Sequence, residues 1–174
     1  MATHLNPLAA ALCLAASLTA CMTPPVAQQH QPTVVGNWQL VAVETLRPGG
    51  EVSTAWMGAR PVGLITYQSN GLMAVQIMRD PKPTFAGGSR LSATPDELKQ
   101  AFFGYYAYWG RYSVDGADGS VTHQLTSSLL PEEVGVTYKR FFKIEGPRLV
   151  LTTAPFSYGG QMLVNRLTWE RMSP

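Results

Sequence analysis

From residue 36 onward, short apolar runs alternate with turn residues along the chain. Trp38–Glu44, Val62–Tyr67, Leu72–Arg79 and Ala107–Val114 each read as a strand, as do Val121–Thr126, Val136–Ile144, Arg148–Thr153 and Leu163–Met172. Pro48-Gly49-Gly50, Pro81-Lys82-Pro83, Asp115 to Gly119 and Glu145-Gly146 break the runs. Asn70-Gly71 between two apolar runs predicts a tight hairpin whose two turn residues both take positive φ. One segment carries a helical signature instead. Thr94 can cap, Pro95 suits the first helical position, and Glu97 stands three residues after the cap. Leu98, Ala101, Phe102 and Tyr105 then form one apolar stripe, which predicts a short helix over about 95–106.

About eight strands in hairpin order, joined by short loops, point to an antiparallel up-and-down arrangement. Closing such a sheet hides its edges, so an all-β barrel is favoured over a sandwich, with the helix packing at one end. A barrel of this size holds side chains or one small ligand. Residues 34–174 suffice for one such domain.

The N-terminal pattern is different. Pro7 to Ala20 is small and apolar, and Leu18-Thr19-Ala20-Cys21 ends it. About 14 residues cannot span a bilayer. The segment resembles the signal of bacterial lipoproteins, which implies residues 1–21 as a signal peptide and Cys21 as the lipidated first residue of the mature protein. It departs from that pattern in having no Lys or Arg among its first six residues. Residues 22–33, rich in Pro and Gln, read as a flexible tether. Met22 in place of Asp implies the outer membrane of a Gram-negative cell, with the domain on its periplasmic face. The expected membrane contact is through the N-terminal lipid.

Composition removes several alternatives. The only cysteines are Cys13 and Cys21, so the barrel region has no disulfide. Thirteen basic and eleven acidic residues give a net charge of +2, and no basic stripe of the kind that binds nucleic acid is present. No nucleophile elbow, zinc-binding helix motif or phosphate loop is found, so no catalytic residue, metal site or cofactor is assigned. The oligomeric state is left open.

The strand segments together are similar to a bacterial and fungal lipocalin-like domain family. The match begins at Gly36-Asn37-Trp38 and runs through Gly63-Leu64-Ile65-Thr66-Tyr67 and Gly71 to Arg79. It continues with Ala107 to Val114, Val121-Thr122-His123 and Arg140-Phe141, and ends at Leu167-Thr168-Trp169-Glu170-Arg171. The resemblance implies a calyx-like barrel and brings no agreed catalytic residues. It assigns Gly36, Trp38, Trp169 and Arg171 structural roles, with Trp38 packed at the closed end.

Candidate ligand contacts follow from strand phase. His123 alternates with Val121 and Leu125 and is expected to face inward; a hydrogen-bonded histidine among tyrosines is the plain alternative. Arg140 is in phase with Tyr138 and Phe142, and Arg166 with Val164. An inward guanidinium needs a partner, and Glu44 or Glu170 could supply it. Arg79 falls at a rim. Tyr67, Tyr105, Tyr106, Tyr108, Tyr112 and Tyr138, with Phe102, Phe103 and Trp109, form an aromatic band suited to a ring-containing ligand or to a filled core. Gln76 and Met78 are added if they point inward.

Three functions are compatible with this reading. The first is an envelope-anchored module that binds or carries a small hydrophobic or aromatic molecule. The second is a structural envelope protein with a filled barrel. The third is a small-molecule isomerase or cyclase using His123 or a tyrosine as proton relay.

Overall fold

The computed structural model describes residues 33–173 together with Met1. Residues 2–21 of the signal segment, Cys21 included, and residues 22–32 of the tether lie outside the described residues. Among the described residues, ten strands and one α-helix follow in the order β1 (Gly36–Leu46), β2 (Val52–Ser53), β3 (Val62–Tyr67), β4 (Leu72–Met78), α1 (Pro95–Phe103), β5 (Tyr105–Asp115), β6 (Ser120–Ser128), β7 (Thr137–Glu145), β8 (Arg148–Thr153), β9 (Phe156–Tyr158) and β10 (Gln161–Arg171). A 3₁₀ turn, Pro131–Glu133, stands between β6 and β7.

Eight of these strands make one antiparallel circuit, β1-β3-β4-β5-β6-β7-β8-β10, and β1 pairs with β10 to close it. Closure leaves neither β1 nor β10 with a free edge, as expected for a sheet of short hairpins. β2 and β9 were not foreseen. They are two- and three-residue extensions that pair with the end of β1 and the start of β10. Runs that short show no period of two.

Two other expectations are corrected. Asn70 does not take positive φ; only Gly71 does, at 83°. The loop is therefore wider, with the Gly71 N–H donating to the Gln68 carbonyl and the Gln68 N–H to the Leu72 carbonyl. The helix stops at Phe103 rather than near 106. The Arg79 N–H donates to the Gly104 carbonyl, and Tyr105 stands opposite Met78, so β4 takes up the backbone there and β5 starts at once. At the helix start the Thr94 hydroxyl accepts from the Glu97 N–H while the Glu97 carboxylate accepts from the Thr94 N–H.

Alternation turns one face of each strand inward. Trp38, Leu40, Ile65, Met73, Val75, Ile77, Val121, Leu125, Leu149, Leu151 and Trp169 are all buried. A bulge between Trp109 and Gly110 shifts the β5–β6 register. A Cβ at Gly110 would lie 2.0 Å from the Gln124 carbonyl oxygen, so only glycine permits that approach.

One end is sealed by Trp38. Its ring is fully buried, its Nε1–H donates to the Val34 carbonyl at 2.7 Å, and the Arg171 guanidinium covers its face. Gly36, at φ 132°, leaves room for that guanidinium, because a Cβ there would meet Arg171 Nη1 at 2.8 Å.

Candidate functional site

The barrel is not filled. Between the Trp169 level and the opposite rim lies a cavity of about 710 Å³, open to the outside. Ile65, Val75, Ile77, Leu151, Leu167 and Trp169 supply apolar wall; Trp56, Phe102, Phe103 and Phe156 stand among its lining from loop, helix and β9. The volume falls within the roughly 300–1,000 Å³ range of small-molecule sites.

The polar groups are few and arranged in two clusters. In the first, His123 bridges two tyrosines: the Tyr67 hydroxyl is 2.7 Å from Nε2 and the Tyr108 hydroxyl 2.9 Å from Nδ1. His123 is 1% exposed. Burial and then the Arg140 charge push its pKa down to about 3, so the imidazole is neutral near neutral pH. Burial, with repulsion from Tyr108, raises Tyr67 well above an ordinary phenol. Burial outweighs the opposing Arg140 charge and pushes Tyr108 up to about 12. Both phenols keep their protons.

The second cluster surrounds Glu133, placed by the 3₁₀ turn. Its carboxylate accepts from Tyr106 at 2.9 and 3.0 Å, from Ser128 at 2.7 Å and from Tyr138 at 2.8 Å. Burial first, then the Glu133 hydrogen bond and charge, push Tyr138 up to about 12; Tyr106 is raised further by burial, Tyr108 and Glu133. The Tyr106, Tyr108 and Tyr138 rings meet edge to face at 5.5 and 6.2 Å. Arg140 stacks on Tyr138, 4.6 Å from the ring centroid.

Not every candidate reaches this cavity. His123, Tyr108, Tyr138 and Arg140 line it. Tyr67 does not; it lies opposite Gly36 in register, and its hydroxyl bonds His123 of the wall. Tyr112 packs edge-on against Tyr67 at 4.9 Å, and its hydroxyl donates to the Gln68 carbonyl outside the cavity.

Gln76 points outward, because Val75 and Ile77 are the buried neighbours on β4. The run around it is apolar on both faces, so its phase is illegible in sequence. Tyr105 sits at the rim with its hydroxyl turned outward onto Gln76 at 2.7 Å. Arg166 also faces outward and pairs with Glu44 at 2.9 Å, while Asn165, Leu167 and Trp169 occupy the inward positions of β10. Arg79 donates to the carbonyls of Ala55 and Trp56 at 3.3 Å and so ties the loop that brings Trp56 to the cavity.

Glu133 and Trp56 escaped the sequence reading. Both sit in loops, where strand phase gives no direction. Among the described residues, no group of three His, Cys, Asp or Glu side chains could hold a metal ion, and no helix is long and apolar enough to cross a membrane.

Comparison with known proteins agrees with this geometry. The chain is 33% identical over 107 residues to the 4'-hydroxy-3'-methoxypropiophenone carrier protein of Aspergillus oryzae, an alignment covering 58% of this chain and 96% of that protein. No solved structure matches. The family model for the lipocalin-like domain matches residues 35–172, almost the whole described barrel. This chain belongs to the lipocalin-like domain family.

Proposed function

We propose that this barrel binds and carries a small, largely apolar aromatic molecule. The observation that carries the reading is the open cavity of about 710 Å³ walled by aliphatic side chains and tyrosine rings. A filled interior would have favoured a purely structural barrel. The fungal relative, named as a carrier of an aryl ketone, supports the same class of cargo.

The test is titration of the purified protein with N-phenyl-1-naphthylamine. Saturable one-to-one fluorescence enhancement, reversed by small aromatic competitors, is the expected result. Enhancement that never saturates would end the carrier reading.

The proposal extends to location. Lipid on Cys21 would hold the carrier at the periplasmic face of the outer membrane, with residues 22–33 as spacer; the support is the sequence pattern of residues 7–21. Mass spectrometry of protein from the membrane fraction should find an acylated Cys21 as the first residue. A different first residue, or an unmodified one, defeats the anchoring claim.

A second reading, proton transfer in an isomerase or cyclase, draws on the Tyr67–His123–Tyr108 chain beside the cavity. Burial disfavours it. An imidazole pushed down to about 3 is a weak base, and phenols raised above their usual range are weak acids at neutral pH.

A further inference from the structure

The Tyr67–His123–Tyr108 chain has a direction, and that direction leaves one proton over. A neutral imidazole has one N–H and one bare nitrogen. If Nε2 carried the hydrogen, Tyr67 would accept it, and the Tyr67 hydroxyl proton would be left in a site 1% exposed. His123 is the single hydrogen-bond partner of that hydroxyl among the described residues. An unsatisfied buried donor is costly. The network therefore assigns the opposite tautomer: Tyr67 donates to Nε2, and Nδ1–H donates to the Tyr108 oxygen.

The Tyr108 proton then has no acceptor among the described residues. Its oxygen is already engaged by His123, and the Arg140 charge acts on it. The one nearby carboxylate, Glu133, is occupied by the hydroxyls of Tyr106, Ser128 and Tyr138. Tyr108 lines the cavity.

Two further groups share this surplus of donors. Arg140 also lines the cavity, stacks on Tyr138 and forms no ion pair among the described residues; its Nη1 donates only to the Lys139 carbonyl. Trp169 is fully buried against the cavity, and its Nε1–H has no partner among the described residues. No buried acceptor atom of a side chain is left without a donor among the described residues. A ligand that covers Tyr108 without offering an acceptor leaves its proton unpaired. A ligand that offers an oxygen there satisfies it.

We infer that the cavity selects an aromatic ligand by an sp² oxygen, a ketone or carboxylate oxygen that accepts the Tyr108 hydroxyl proton and lies beside the Arg140 guanidinium. This rests on the carrier reading and adds polarity and orientation to it. The ring of the ligand lies among Tyr106, Tyr138 and the rim aromatics, and its oxygen end points to Tyr108. His123 acts here as a positioning residue, because it accepts the Tyr67 proton and turns the Tyr108 proton outward.

The test is displacement of N-phenyl-1-naphthylamine by matched ligands. 2-Acetylnaphthalene and 2-ethylnaphthalene have nearly the same shape and differ in one oxygen. Wild-type protein should bind the ketone roughly tenfold more tightly, the ratio expected of one buried hydrogen bond. Tyr108→Phe should bring that ratio close to one. 2-Naphthoate separates the two sources of oxygen: if it is the tighter ligand and loses its gain in Arg140→Met, the natural group is a carboxylate. If 2-acetylnaphthalene is tighter, the group is a neutral carbonyl.

The wild-type ratio needs no variant, so a misfolded Tyr108→Phe protein does not leave the inference standing by default. A wild-type ratio near one, with both naphthalenes displacing the probe, overturns the inference and spares the carrier reading. A ratio kept in both folded variants also overturns it. Failure of N-phenyl-1-naphthylamine itself to bind removes the carrier reading and this inference with it.

Discussion

The Arg171 guanidinium lies 3.9 Å above the Trp38 ring, and the same group donates to the carbonyls of Val35 and Thr33. One side chain from the end of β10 thus fastens the start of β1 and covers the plug of the barrel. Arg171→Ala removes the stack and both hydrogen bonds, and should cost about 2–3 kcal/mol of unfolding free energy. Arg171→Lys should recover only part of it, since an ammonium cannot reproduce the planar fork. Urea denaturation measures both; equal stability of Arg171→Ala and wild type would show that the lid carries no weight.

The two buried indoles should respond differently to truncation. Trp38 Nε1–H is bonded at 2.7 Å, whereas Trp169 Nε1–H has no partner among the described residues. Trp38→Phe loses a satisfied hydrogen bond and part of the Arg171 stack, and should cost about 2 kcal/mol. Trp169→Phe relieves an unpaired donor while leaving a small void, and should cost less than about 1 kcal/mol. The order of the two unfolding midpoints is the measurement, and the reverse order contradicts the bonding pattern.

His123 makes stability depend on pH. Its pKa falls from 6.5 in the unfolded chain to about 3 in the barrel. The unfolded state therefore binds a proton that the native state refuses. Stability from this residue is complete above pH 6.5 and is lost as pH falls toward 3, by up to about 1.4 kcal/mol per pH unit. Urea midpoints between pH 5 and 8 should fall on acidification, and His123→Asn should flatten that fall. An identical slope in the variant would place the titration elsewhere.

Glu133 should matter for the shape of the rim. Glu133→Gln keeps its size but turns one acceptor into a donor facing three hydroxyls. At least one hydroxyl then loses its partner, at about 1–2 kcal/mol. Thermal unfolding reports the loss; an unchanged midpoint would mean that the hydroxyls find other acceptors.

Leu167 is half-buried on the cavity wall in β10. Leu167→Trp should occupy free volume rather than strain packed core. N-phenyl-1-naphthylamine affinity should fall at least tenfold with little change in melting temperature. Unaltered affinity would place the probe outside the barrel.

Strand existence was legible where alternation was clean. Val62–Tyr67 and Arg148–Thr153 were placed to the residue, and the inward phase of His123 followed from Val121 and Leu125. Phase failed where both faces are apolar, which is why Gln76 was offered to the interior. It also failed to show depth. Tyr112 shares its face with Tyr108 yet ends near Gln68, because strand tilt carries successive inward residues from the cavity toward the sealed end.

By itself the sequence favoured an antiparallel barrel with one capped helix, because hydrophobic period, turn residues and capping are local properties of neighbouring positions; the plug at Gly36-x-Trp38 came from the family resemblance. Only the tertiary structure decided that the barrel is open, that Glu133 gathers three hydroxyls, and that His123 joins Tyr67 to Tyr108. Those relationships link strands more than fifty residues apart in one case and a loop to the barrel in another. Their geometry depends on register and closure, which no short stretch of chain contains.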